Sequence, residues 1–232
     1  MSGEITVPSI GFLLFPGVTQ LDLAGPYEVF SRIPGGQVHL LWKTTEPVRS
    51  DRGMIILPTG TLLDAPRLDL ICVPGGPGQV ALMEDREVLD FLRVQAESCR
   101  YVTSVCTGSL VLGAAGLLRG FRATCHWSAR DQLAMLGAIP VSERVVFDGN
   151  RITAAGVTSG IDFALAVVCH LAGETVARSI QLGLEYDPAP PFDAGTPDRA
   201  GRALVDQYRE KTHSLQEGRR AATERAAASL YQ

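Results

Sequence analysis

Tyr101-Val-Thr-Ser-Val-Cys106-Thr-Gly-Ser109 decides the fold. The run Tyr101–Val105 predicts a buried strand, and the small residues of Thr107–Ala115 predict a helix that starts directly behind Cys106. A strand that feeds a helix through one residue is a nucleophile elbow, here with cysteine where serine is usual. So tight a turn needs small residues two before and two after the nucleophile, and Ser104 and Gly108 supply them. The helix start also presents free backbone N–H groups and a positive dipole end, both of which favour a thiolate. Cys106 is therefore expected to be a nucleophile rather than a packing cysteine. Cys72, Cys99, Cys125 and Cys169 lack this context and read as packing or surface residues.

Outward from the elbow, strands and helices alternate. Ser9–Phe15 is a continuous apolar run stopped by Pro16, and Val38–Trp42 and Leu68–Pro74 read the same way, as strands buried on both faces. Met54–Leu57 suits a strand of a short hairpin. Arg144–Phe147 and Arg151–Ala154 flank the turn Asp148-Gly149-Asn150 as another. Helical spacing covers Leu21–Ile33, Asp85–Glu97, Trp127–Leu136 and Thr175–Leu184, and Ser159–Asp162 looks like a cap before Phe163–Leu171. This alternation predicts an α/β three-layer sandwich with a mostly parallel, flavodoxin-like sheet. The expected division is a catalytic domain over residues 1–192 and a helical extension over 193–232. The extension reads as a solvated helix that packs through Leu204, Tyr208, Leu215 and Leu230.

With 232 residues, 46% hydrophobic and 20% charged, the chain can build a large core. Net charge is −4 and the basic residues are scattered, which argues against nucleic acid and against a polybasic membrane patch. Met1–Pro8 lacks the build of a signal peptide, and the longest greasy stretch, Leu110–Leu118, is far short of the ~20 residues a membrane span needs. Five cysteines without a CxxC pair suit reduced thiols in the cytoplasm. No HExxH, phosphate loop or GxGxxG is present, so neither a metal nor an organic cofactor is expected.

A nucleophile needs a proton partner. In an open parallel sheet the site lies beyond the carboxyl ends of the strands, where Asp22 is expected in the connection after the first strand. Beside Leu21 and Leu23 its carboxyl should be desolvated and its pKa raised, although Asp is also a common helix N-cap. Glu28 is the other nearby carboxylate. The turn Val73-Pro-Gly-Gly-Pro-Gly78 belongs on the same rim, with Gly75 and Gly76 as candidate oxyanion-type donors or simply as a chain reversal. His126 is the obvious base for a Cys-His pair, or else a structural hydrogen-bonder beside Trp127.

At these residues the chain resembles the ThiJ/PfpI superfamily, the class I glutamine amidotransferase-like proteins, from about Ile10 to Leu184. The resemblance rests on Phe15-Pro-Gly-Val with Leu21-Asp-Leu-Ala-Gly-Pro26, Val73-Pro-Gly-Gly76, Val105-Cys-Thr-Gly-Ser109, Ala123-Thr-Cys-His-Trp127 and Gly156-Val-Thr-Ser-Gly-Ile-Asp162. Gln20-Leu-Asp-Leu, Thr103-Ser-Val-Cys and the segment Gln181–Phe192 are similar to the branch that hydrates isonitriles, R–N≡C, to N-substituted formamides. The resemblance implies a covalent thioimidate on Cys106, Asp22 as general acid and base, and Thr107 steadying the sulfur. It further implies a pocket lined by Gly75 or Gly76 and by Ala155–Thr158, with Val157 among them, in a homodimer. Thr107 stands where protease-like and chaperone-like members carry His, Asp22 where many carry Glu, and the late His-x-Glu of amidotransferases is missing.

The rivals are another cysteine-dependent hydrolase or lyase of the superfamily, a redox sensor, and a ligand sensor like that of arabinose-regulator-type transcription factors. The last needs ~100 further residues for its helix-turn-helix units, and Asp193–Gln232 does not offer them.

Overall fold

The computed structural model describes residues 8–230. The expectation about a signal peptide at Met1–Pro8 falls on residues that, but for Pro8, lie outside those described. In chain order the elements are β1 (Ser9–Leu13), α1 (Gln20–Phe30), β2 (Gln37–Trp42), β3 (Val48–Arg49), β4 (Ile55–Ile56), β5 (Gly60–Thr61) and β6 (Leu70–Val73). Next come α2 (Gln79–Leu82), α3 (Arg86–Ser98), β7 (Tyr101–Val105), α4 (Gly108–Ala114) and β8 (Arg122–Ala123). A 3-10 helix (Arg130–Leu136), β9 (Ile139–Pro140), β10 (Val145–Asp148) and β11 (Arg151–Ala154) precede α5 (Ser159–Ala172), α6 (Glu174–Gly183), α7 (Pro197–Ala200) and α8 (Arg202–Leu230).

Seven strands form one sheet in the order β10-β11-β7-β6-β1-β2-β5, parallel throughout except for β10 against β11. The expected mostly parallel α/β sheet is therefore what the chain builds. β1, β6 and β7 are near-continuous apolar runs because helices cover both faces, and Phe12, Leu70, Ile71 and Val105 are wholly buried. From β1 the chain steps first to β2 and later to β6 on the other side. That change of direction opens a crevice at the carboxyl ends of the central strands.

Two helical expectations need correcting. Trp127–Leu136 is not one α-helix: it becomes a 3-10 helix only from Arg130. His126 closes the preceding turn, accepting from the Ala129 N–H at its carbonyl (2.9 Å) and facing the Ser128 N–H with Nδ1 (3.3 Å).

The extension is helical as expected, and Leu230 packs on the core and Tyr208 on Trp127, but most of the buried face is made by other residues. Val205, Arg219, Ala222, Thr223 and Ala226 are buried, whereas Leu204 and Leu215 are among the exposed residues. Small side chains let α8 lie close against α2, α4 and the 3-10 helix. Thr223 accordingly donates to Gln132 at 2.9 Å. Among the described residues no helix is long and apolar enough to cross a membrane.

Candidate active site

Three connections converge where β1, β6 and β7 end. Cys106 follows β7 directly, with φ of 57°, a left-handed conformation uncommon for a residue that carries a side chain. Its amide holds it there by donating to the carbonyls of both Ala154 and Ala155, at 3.0 and 2.9 Å. α4 starts at Gly108, where a Cβ would collide with the Val73 carbonyl, so only glycine lets the helix sit so close to β6. Cys106 is 6% exposed at the floor of a cleft of about 470 Å³.

Asp22 lies in the first turn of α1 rather than in the connection before it, because the helix begins at Gln20 with Thr19 as its N-cap. It is wholly buried, and its Oδ2 accepts from the Gly75 N–H at 3.0 Å. Asp22 is thus neither a loop residue nor a cap. Its carboxyl faces the Cys106 thiol closely enough for each to shift the other's protonation. No well-formed hydrogen bond closes between them, since Asp22 Oδ1 has no partner among the described residues. Burial pushes the Asp22 carboxyl up to about 7, against the smaller opposing pull of Cys106 and the Gly75 N–H.

The thiol departs from expectation. Burial first, and the Asp22 charge second, hold Cys106 well above the ordinary thiol range. The Thr107 N–H at the helix start acts the other way and is outweighed. An elbow lowers a thiol's pKa only where its dipole and N–H groups outweigh burial, and here the sulfur is buried and faces a carboxyl.

The Gly75 and Gly76 amides are not turned into the cleft as oxyanion-type donors. Gly75 donates to Asp22, and Gly76 donates to Thr107 Oγ1 at 3.1 Å. The glycine turn therefore ties the acid to the residue behind the nucleophile. A Cβ on Gly75 would stand 2.6 Å from the Thr107 nitrogen and 2.8 Å from Asp22 Oδ2, so no side chain fits.

His126 borders the cleft, but its Nδ1 is engaged with Ser128 Oγ at 2.8 Å and burial pulls its pKa down to about 4. The ring is neutral and makes no hydrogen bond to Cys106 among the described residues. Val157 lines the same cleft as Cys106. Ala155, Gly156 and Thr158 instead border, with Val157 and His126, an adjoining hollow of about 520 Å³. Glu28 is on the outer side of α1, paired with Arg32 at 2.5 Å and outside the site. Among the described residues no group of three or more His, Cys, Asp or Glu side chains could hold a metal ion.

The remaining wall is one that sequence reasoning reads as packing rather than as part of the site. Tyr208, Leu215, Gln216 and Arg219 of α8 border the cleft that contains Cys106. The signal lies in the polar residues of that helix, spaced three, four and seven apart. A reading based on large apolar residues finds Tyr208 and Leu215 as packing positions but passes over Gln216 and Arg219.

An elbow cysteine on a parallel sheet, facing a buried carboxyl beyond its central strands, defines a class, and the chain belongs to it: residues 8–170 match the DJ-1/PfpI family. Within the family it is 58% identical over 221 residues to the isonitrile hydratase of Pseudomonas putida, covering 95% of this chain and 97% of that one. The crystal structure of a ThiJ/PfpI family protein from Pseudomonas syringae superposes with a TM-score of 0.91 at 44% identity, covering 94% and 90% of the two chains. The HTH-type transcriptional regulator GbdR of Pseudomonas aeruginosa is 33% identical over 186 residues, 76% of this chain but 49% of the regulator.

Proposed function

We propose that the protein is an isonitrile hydratase that adds water to R–N≡C to give R–NH–CHO. The observation that carries this reading is the Asp22–Cys106 pair, buried at the floor of a cleft in a chain 58% identical along nearly its whole length to an enzyme of that name. The reaction makes it a hydro-lyase.

The terminal carbon of an isonitrile has a lone pair and becomes electrophilic as it gains a proton. The pair supplies both needs with one proton. As the Cys106 proton passes to the Asp22 carboxylate, the freed sulfur attacks the carbon and the carboxyl protonates it. One S–C and one C–H bond form, giving the thioimidate R–N=CH–S–Cys. Asp22, now a carboxylate held by the Gly75 N–H, takes a proton from water as the oxygen adds to the same carbon and hands that proton to the nitrogen, which gives R–NH–CH(OH)–S–Cys with Asp22 again a carboxylate. Collapse of the tetrahedral adduct breaks the S–C bond, releases the formamide and returns the proton to the pair. The Thr107 N–H steadies the sulfur as it leaves. Gly76 and Val157 border the substrate, and His126 acts as a neutral wall.

In this reading residues 1–192 carry the chemistry and the extension 193–232 completes the pocket. Two copies are expected to form a homodimer, and five free thiols suit the cytoplasm. The test is formamide release from cyclohexyl isocyanide by the wild type, Cys106→Ala and Asp22→Asn. Turnover lost in Cys106→Ala and collapsed in Asp22→Asn supports both roles. A folded wild type without turnover rejects the hydratase and leaves the sensor or another lyase.

A further inference from the structure

Arg219 is 4% exposed and borders the cleft that holds Cys106. A cation that deep ordinarily has a carboxylate beside it, because water no longer solvates its charge. Arg219 has none at ion-pair distance among the described residues. Its hydrogen-bond partners are neutral: Nη1 donates to Gln216 Oε1 at 2.7 Å, and Nε to the side-chain oxygen of Gln79 at 3.2 Å. The other end of the guanidinium fork, Nη2, takes part in no hydrogen bond among the described residues.

The rest of the cleft does not neutralise it. Asp51, on the far wall, is held by Thr19 Oγ1 at 3.2 Å and pairs with Arg52 at 3.7 Å. Lys211 adds a further positive charge at the rim. The groups whose fields reach Arg219 are Cys125, Cys106 and Tyr208, all neutral when protonated. The guanidinium stays charged in any protein setting, so the site keeps an unsatisfied demand for an anion. The isonitrile group itself, neutral and a weak acceptor, does not meet that demand.

We infer that Arg219 is the anchor for a carboxylate carried on the R group, so that the cleft takes acidic isonitriles with the reacting carbon on Cys106 and the carboxylate on the Arg219 fork. This deepens the hydratase reading and rests on it for the identity of the reacting end. Cys106 and Arg219 line one cleft of about 470 Å³, a volume in the range that takes small-molecule ligands. A planar guanidinium takes a carboxylate through two parallel hydrogen bonds, which gives selectivity over an ester of nearly the same shape.

The experiment compares isocyanoacetate with methyl isocyanoacetate in the wild type, Arg219→Met and Arg219→Lys. It also measures calorimetric binding of N-formylglycine against its methyl ester. In the wild type, kcat/KM is expected to be at least tenfold higher for the acid, the difference lying in KM, and N-formylglycine should bind at least tenfold more tightly than its ester. Arg219→Met should erase the acid-to-ester ratio in both assays, and Arg219→Lys should keep part of it. The wild-type ratios stand even if a variant fails to fold.

Hydration of the ester with no preference for the acid, and no preference for N-formylglycine, overturns the anchor while leaving the hydratase intact. Absent turnover with Arg219-dependent N-formylglycine binding does the opposite: it removes the hydratase and keeps the anion site.

Discussion

The Gly75 amide donates to Asp22 Oδ2 at 3.0 Å across 53 residues of sequence, and it is the only hydrogen bond that carboxyl makes among the described residues. Burial, the Cys106 thiol, that one backbone donor and, more weakly, the Asp51 charge together set the proton on Asp22.

The pH dependence of turnover follows. With two protons the pair lacks a nucleophile, and with none it lacks an acid, so the singly protonated pair is the working form. Asp22 releases its proton near about 7, whereas Cys106 keeps its own far higher. kcat/KM is therefore expected to rise with pH through about 7 to a broad plateau, measured as formamide release from cyclohexyl isocyanide between pH 5 and 9. A fall over that interval rejects the assignment.

Stability should move the other way. A carboxyl whose pKa is 3.8 in the unfolded chain and about 7 in the fold binds its proton more tightly when folded. Folding stability is thus full below the unfolded value and declines as pH rises through the folded one. The buried charge then costs on the order of a few kcal/mol. Asp22→Asn should remove this slope, so that at pH 8 the inactive variant melts above the wild type while at pH 4 the two converge.

Gly75→Ala places a methyl group 2.6 Å from the Thr107 nitrogen and 2.8 Å from Asp22 Oδ2. The acid, the residue behind the nucleophile, or both must shift. A displacement near 1 Å at reacting groups lowers rate by about 100-fold. The expected result is a kcat reduced by one to two orders of magnitude, read in a variant shown by circular dichroism to be folded.

His126→Gln separates a neutral wall from a catalytic base. Because His126 is already neutral, with a pKa pulled down to about 4, its loss should change kcat less than about tenfold and leave the limb near pH 7 in place. Loss of that limb would move the titration from Asp22 to His126 and make the histidine the base.

The parts of the site readable in sequence are those made by local chain geometry. The elbow at Cys106 follows from Ser104, Gly108 and the apolar run before them, and the central strands from runs such as Ile10–Phe15 and Leu70–Val73. Asp22 is legible as a residue, but it lies in the first turn of α1 rather than in the connection before it, and helix boundaries move easily by one or two residues. The glycine amides have partners that sequence does not reveal, because which way an N–H points depends on a contact between segments far apart in the chain. The same limit hides the depressed His126 and the elevated thiol, whose pKa values come from burial by many segments at once. Arg219 is invisible for a related reason: on a mixed-charge helix a buried arginine looks like every solvated one.

α8 supplies one side of the cleft, and it is made after every other side. During synthesis the strands and loops bearing Cys106, Asp22 and Gly75 emerge first and can already fold together. Until α8 arrives, that side of the cleft stays open to water, which gives a peroxide or a cellular thiol a route toward the sulfur that the docked helix closes. Docking of that helix closes one route to the thiol, so a chain that ends before Arg202 should be modified at Cys106 faster than the full chain under the same peroxide.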